Sequence, residues 1–464
     1  MAEIKLILWV YMGLVAAIGV YSFFRVKTAA DYYISGKRGS WWQVSGSLFA
    51  TIMGGSAILG TVELSQKAGW AAVWFLTSAA AGLFVLSLIS RKVSILGHYT
   101  LPELLLKFYG KPAEKAASLM IPLAWTGIVA AQIIGGAKIL SSLGIFSYQT
   151  GAIACGVVFI FYTLAGGQLS ILKTDFAQAL IILAGIFTMV TLRIVQMEPG
   201  ESLSGMGSQQ LRDDLPAIRG LFNANFSPVD LLFLLLTYSV TFVVGPDIYS
   251  RIFCARNAKV ARTSVIVVAI LVIPVAAALT WLGIMAQTHP EAGNGFILPG
   301  TSFLPPWALG LIAAALLSAV MSSADTTLLT SSMILAEFFT GNLDKPYSLR
   351  LTRFFIILMG IVSLLIATRV TSILNALLIA LSFFSGAFIV PILAGLANWP
   401  VRKKYALYAI LTGGSLAVSG KIINEMTGGT SGYWLILAGF AANILILVNF
   451  SRPAGEGWRE DSDR

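Results

Sequence analysis

The chain is a succession of long apolar stretches separated by short polar or basic segments. A bilayer core takes about 20 apolar residues per spanning helix. On that ruler the pattern predicts thirteen spans, near residues 4–24, 43–66, 69–90, 115–143, 148–165, 168–195, 227–249, 262–287, 304–338, 349–369, 371–397, 402–421 and 430–450. Stretches longer than the ruler, such as 304–338, are read as tilted or as running past the bilayer. The fold class expected is therefore all-α, a polytopic membrane protein.

Several spans are interrupted by polarity. Every backbone polar group in lipid must be satisfied, so such breaks line protein interior or a cavity. Residues 47–64, SLFATIMGGSAILGTVEL, carry Gly54, Gly55 and Ser56 at mid-span. Close packing of helices through small residues is the plain alternative. A second interruption, TYSVTFVVGPDIYSR, falls five helices later with Gly245–Pro246 near its inner end. Breaks at matching positions of two halves point to a transporter built from inverted repeats, with its site at the breaks.

Two further stretches carry candidate chemistry. In AVMSSADTTLLTSS (319–332), Ala319, Ser322, Ser323, Thr326 and Thr330 fall on one helical face. Asp325 flanks that face. A lone hydroxyl in such a place usually bonds back to its own helix. A face of hydroxyls beside a carboxylate favours a cation site, because hard cations prefer oxygen. In YTLAGGQLSILKTDFAQALIIL (162–183), Gly166–Gly167 is a tight inside turn, and Asp175 and Gln178 then enter an apolar helix. Lys173 is a possible partner for Asp175, although neighbours in a helix point apart.

Composition agrees with the membrane reading. The 464 residues are 57% hydrophobic and 11% charged, with a mean hydropathy of +0.83, whereas soluble domains are about a quarter charged. The net charge of +10 would suggest nucleic acid in a soluble protein. Here the basic residues cluster in short alternate loops: Arg25, Lys27, Lys37 and Arg38; Arg91 to Lys115; Arg251, Arg256, Lys259 and Arg262; Lys345, Arg350 and Arg353; Arg402 to Lys404. By the positive-inside rule the N-terminus lies outside and the C-terminus in the cytoplasm, in a cell (inner or plasma) membrane. The first apolar stretch reads as a retained helix, since it lacks a small-residue cleavage site. Cys155 and Cys254 sit in or beside apolar segments, and His98 and His289 are far apart in loops, so disulfide and zinc chemistry are not expected. No nucleophile–base pair marks an enzyme.

The pieces DYYISGKRGSWW, ATIMGGSAILG, GGQLSILKTDFAQ, VVGPDIYSRIFCARNAKVAR, SAVMSSADTTLLTSS and LSFFSGAFIVPILAGL, in this order, resemble the sodium/solute symporter family of proline, pantothenate, sialic acid and sugar symporters. The resemblance implies a LeuT-like core of two inverted five-helix repeats, residues 43–195 and 227–397. Residues 1–42 then hold the first span and an inside loop, 196–226 an outside loop, 398–450 two peripheral helices, and 451–464 a cytoplasmic tail. It also implies a sodium site of Ala50 and Met53 carbonyls at the first break, with Ala319, Ser322 and Ser323 opposite. Some members have a second cation site, which maps here to Asp175, Asp325 and Thr326. Asp325 stands where the family has a hydroxyl, a departure that leaves its role open to sodium, a proton or a substrate cation.

Solute in this fold sits beside the sodium near the midplane, and Gly55, Ser56, Ala57, Gln132, Tyr238 and Phe242 are the candidate lining residues. Glu63 is read as the i+4 partner of Lys67. With Ala57 apolar and no arginine in the third core helix, a small amino acid or organic acid is the solute expected, with sodium as coupling ion, no organic cofactor, no nucleic acid and no obligate protein partner. The alternatives are the same fold driven by protons, and a transporter-like sensor, against which the lack of a soluble output domain counts.

Overall fold

The computed structural model describes residues 2–196, 220–287, 304–370, 373–399, 401–427 and 431–449. Most of the expected outside loop 196–226, the tail 451–464 and His289 lie outside the described residues. Among the described residues there is no β-strand, and ten helical stretches are long and apolar enough to cross a membrane. Large apolar side chains such as Leu88, Leu123, Phe161, Phe187 and Leu365 are exposed on the surface, as expected where lipid rather than water is the solvent. The chain is a multi-pass membrane protein.

Helix α1 spans Ala2–Phe23 and short α2 spans Ala29–Ile34. The next apolar stretch is broken in two, α3 (Trp41–Ile52) and α4 (Gly55–Ala68). A turn through Gly69, at φ +57°, leads into α5 (Val73–Leu96). Helix α6 (Leu101–Tyr109) was not expected, being far too short to span. Thr100 and Glu103 form a capping box, Pro102 fits the first turn, and Gly110 ends it. Then come α7 (Lys111–Ser142) and α8 (Tyr148–Val195).

Helix α8 runs 48 residues, more than twice a bilayer crossing. The expected turn at Gly166–Gly167 is present as a break at Gly167, whose backbone (φ 54°, ψ −170°) is open only to glycine. A Cβ there would also lie 2.5 Å from the Tyr32 ring. The second interrupted stretch comprises α9 (Pro228–Leu234), a π-turn at Leu235–Ser239, α10 (Val240–Val244) and α11 (Pro246–Cys254). Extended Gly245 separates the last two, and Pro246 restarts the helix at a position where its missing N–H costs nothing. The remaining helices are α12 (Ala258–Gln287), α13 (Pro306–Thr340), α14 (Ser348–Ala367), α15 (Ile373–Leu396), α16 (Lys403–Thr427) and α17 (Tyr433–Asn449).

Helix α13 is the centre of the bundle. It packs against α8, α7, α14, α1 and α3 and is buried on all sides along most of its length. That explains how it holds so many hydroxyls. Thr326, Thr327, Ser331 and Ser332 each bond back to the carbonyl four residues earlier, so their polarity is satisfied within the helix.

Candidate ion and solute sites

The break between α3 and α4 faces α13. Ending α3 at Ile52 leaves the carbonyls of its last turn without intrahelical donors, and α13 supplies donors. Ser322 Oγ donates to the Ala50 carbonyl at 2.8 Å and lies 3.3 Å from the Ala319 carbonyl. Ser323 Oγ donates to the Thr51 carbonyl at 2.7 Å. Met53 caps α3, its N–H on the Phe49 carbonyl. Four of the five residues that the resemblance assigns to a sodium site thus meet at one crossing or cap it, while Ser323 bonds to Thr51, which sequence reasoning passed over. All six residues are buried.

Two glycines permit the approach. A Cβ on Gly54 would lie 2.3 Å from Ser323 Oγ, and one on Gly55 2.1 Å from Val320 Cγ2. Both separations are far inside van der Waals contact, so the break touches α13 only because these positions carry no side chain.

Across the break from this crossing is a cavity of about 50 Å³. Ser56, Ala57, Gln132, Tyr238 and Phe242 line it, with Gly54, Trp125, Thr241, Asp247, Ser323 and Thr327. Gly55 backs it, packed against Val320. Gln132 Nε2 donates to Ser56 Oγ at 2.8 Å, while its Oε1 is buried with no partner among the described residues. Tyr238, in the π-turn, stacks on Phe75 and meets Phe242 edge-on. The space holds a water or two, so a solute enters only if the lining side chains move apart.

Asp175, Asp325 and Thr326 lie one turn further along α13 and across on α8. The structure adds a residue that sequence reasoning put elsewhere. Arg251 was counted among inside-loop cations; it is in fact fully buried, at 0% exposure. Its Nη2 donates to Asp175 Oδ2 at 2.8 Å and also to Thr326 Oγ1, and its Nε donates to Ser47 Oγ at 3.0 Å. Ser47 Oγ in turn donates to the same Asp175 oxygen at 2.5 Å. Lys173, the other partner considered for Asp175, instead sits over the Tyr21 ring. Asp325 Oδ1 lies 3.3 Å from Thr326 Oγ1, and Asp325 Oδ2 and Asp175 Oδ1 are buried without partners among the described residues. Nearby, Gln178 Nε2 donates to the Tyr11 hydroxyl of α1 at 3.2 Å.

Away from these sites, Glu63 pairs with Lys67 at 3.0 Å on the surface, and Cys155 and Cys254 are free thiols.

Residues 32–413 match the model of the sodium:solute symporter family. The chain belongs to the sodium:solute symporter family. The sodium/pantothenate symporter of Escherichia coli (strain K12) is 25% identical over 435 residues, 89% of each chain. Solute carrier family 5 member 4A of Mus musculus is 30% identical over 209 residues, 44% of this chain, and the match spans about a third (32%) of that relative. Among solved structures, a Na⁺-coupled sialic acid symporter in a substrate-bound outward-open state superposes with a TM-score of 0.76 at 20% identity, covering 96% of both chains. The fold is thus the LeuT-like one expected. Membership of the family makes the chain a sodium-coupled secondary transporter, and not an enzyme.

Proposed function

We propose that the chain carries a small, largely apolar organic solute, an amino acid or organic acid, with sodium by alternating access. Sodium is assigned to the crossing of α3 and α13, on the carbonyls of Ala50, Met53 and Ala319 and the hydroxyls of Ser322 and Ser323. The observation that carries this assignment is the Ser322 hydroxyl held against the Ala50 carbonyl across the helix break (2.8 Å). Uncharged oxygens replace part of an ion's hydration shell without holding it tightly, as a cycle of binding and release requires. Solute is assigned to the adjoining cavity, lined by Ser56, Ala57, Gln132, Tyr238 and Phe242 and backed by Gly55. The apolar and aromatic walls suit a small apolar body, and the free Oε1 of Gln132 suits a donor group on it.

In this reading α4–α5 and the bent α8 each supply two crossings, and shorter α17 adds one more to the ten long apolar stretches, giving thirteen spans. Residues 43–195 and 227–397 form the two inverted repeats, and the N-terminus is outside and the C-terminus cytoplasmic, in the cell membrane. The test is uptake into proteoliposomes. Accumulation driven by an inward sodium gradient, with no pH gradient, is expected for a solute first found by thermal shift with and without sodium. Failure of sodium to drive uptake would sink the reading. A proton-driven cycle is the second reading, favoured by one observation: Asp325 Oδ2 is buried with no partner among the described residues. Its signature is uptake driven by a pH gradient in the absence of sodium.

A further inference from the structure

The resemblance places a second cation between Asp175 and the hydroxyl face of α13, and the point where Asp175 Oδ2 and Thr326 Oγ1 converge does not fit a sodium ion, although Asp175 Oδ1 and Asp325 Oδ2 have no partner among the described residues. A bound ion would need the oxygens of Asp175 and Thr326 turned toward it. In the structure both Asp175 Oδ2 and Thr326 Oγ1 face Nη2 of Arg251, which donates to each. The point shared by the two oxygens is therefore already taken by a nitrogen. Ser47, the remaining hydroxyl beside Asp175, is bound to Nε of the same guanidinium at 3.0 Å.

We propose that the guanidinium of Arg251 is this chain's resident cation at the second site, so that each cycle binds one sodium ion rather than two. The proposal rests on the sodium-coupled reading above. Arg251 reaches the site from α11, just past the break of the second repeat, and ties that segment to Ser47 on α3, Asp175 on α8 and Thr326 on α13. A guanidinium does not lose its proton in proteins. Asp175 is therefore neutralised without an ion entering from either side of the membrane. Two unit cations about 4 Å apart in a protein interior repel enough to lower affinity roughly a thousandfold. Sodium and the guanidinium therefore exclude each other from this point. A neutral solute would accordingly move with one net charge.

Equilibrium binding of radiolabelled sodium to the purified full chain in nanodiscs tests this without a known solute. One ion per chain is expected in the wild type at a sodium concentration that just saturates it, and close to none at that same concentration in the Ser322→Ala/Ser323→Ala double variant. Arg251→Ala, which leaves Asp175 uncompensated, should raise the count from one to two, and Arg251→Lys should keep it at one. A wild-type count of two overturns the proposal, as does a count of one in a folded Arg251→Ala chain. Should Arg251→Ala fail to fold, the double serine variant still decides: one ion bound there with wild-type affinity means a second sodium site and overturns the proposal. No binding at all in the wild type would instead sink the sodium-coupled reading beneath it.

Discussion

Ser322 on α13 and Ala50 on α3 meet hydroxyl to carbonyl at 2.8 Å, although 272 residues separate them in the chain. Each half of the contact exists because of a local interruption. The carbonyl is free because α3 stops two residues later, and the hydroxyl is buried because α13 is enclosed on all sides. If the two together hold sodium, Ser322→Ala with Ser323→Ala should raise the sodium concentration for half-maximal uptake by about a hundredfold or more, since two ligands to a charged group are lost, each worth about 1.5–3 kcal/mol. Unchanged sodium dependence would move the site elsewhere.

The approach of the two helices depends on missing side chains. Gly55→Val places a branched side chain where even a Cβ would lie 2.1 Å from Val320. Overpacking of this kind costs about 1–3 kcal/mol, so a lower thermal midpoint is expected together with loss of uptake. Restoring room with Val320→Ala in the same chain should recover part of the stability. A Gly55→Val chain as stable and active as wild type would show that the break is looser than described.

Solute affinity should depend on Gln132. Its amide nitrogen is committed to Ser56, which leaves Oε1 as a free acceptor beside the cavity. Gln132→Ala removes that acceptor and also frees Ser56. A roughly tenfold rise in the solute KM is expected, with the sodium count per chain unchanged. An equal fall in kcat at constant KM would assign Gln132 to helix packing instead.

Much of this arrangement was legible because lipid penalises polarity so heavily. Gly54–Gly55–Ser56, Gly245–Pro246 and the hydroxyls after Ala319 each stand out against apolar neighbours, and each lies at a break or crossing. Short α6 was missed because an apolar-length ruler sees only spans; its capping pair, Thr100 and Glu103, was the available signal. Arg251 was misread because it precedes Arg256, Lys259 and Arg262 and so looked like the first cation of an inside loop. What buries it is tertiary: α11 turns inward past Gly245 and packs against α3, α5 and α13. A signal was nonetheless present. In IYSRIFC, Arg251 is the sole charge in an otherwise apolar turn or two, and Asp175 is a buried acid that needs a partner. Thr51 was out of reach, since periodicity gives the face of a helix but not which of two adjacent carbonyls a hydroxyl will choose.

Asp325 is where stability and sodium affinity should move in opposite directions. Arg251 is spent on Asp175, and Asp325 Oδ2 has no partner among the described residues. Ionised, Asp325 is an unpaired buried charge and so destabilising, and Asp325→Asn keeps the shape while removing it. The thermal midpoint without sodium should therefore rise. The same negative charge lies two residues beyond Ser323 and favours a cation at the neutral oxygens nearby. At about 10 Å and an effective dielectric of about 20, that attraction is of order 1.5 kcal/mol. Its loss should raise the half-saturating sodium concentration roughly tenfold. Thermal scans across a sodium titration read both effects on one sample: the variant should start higher than wild type and gain less per decade of sodium. If instead Asp325→Asn abolishes uptake driven by a pH gradient and leaves the sodium titration untouched, the proton-driven reading is the better one.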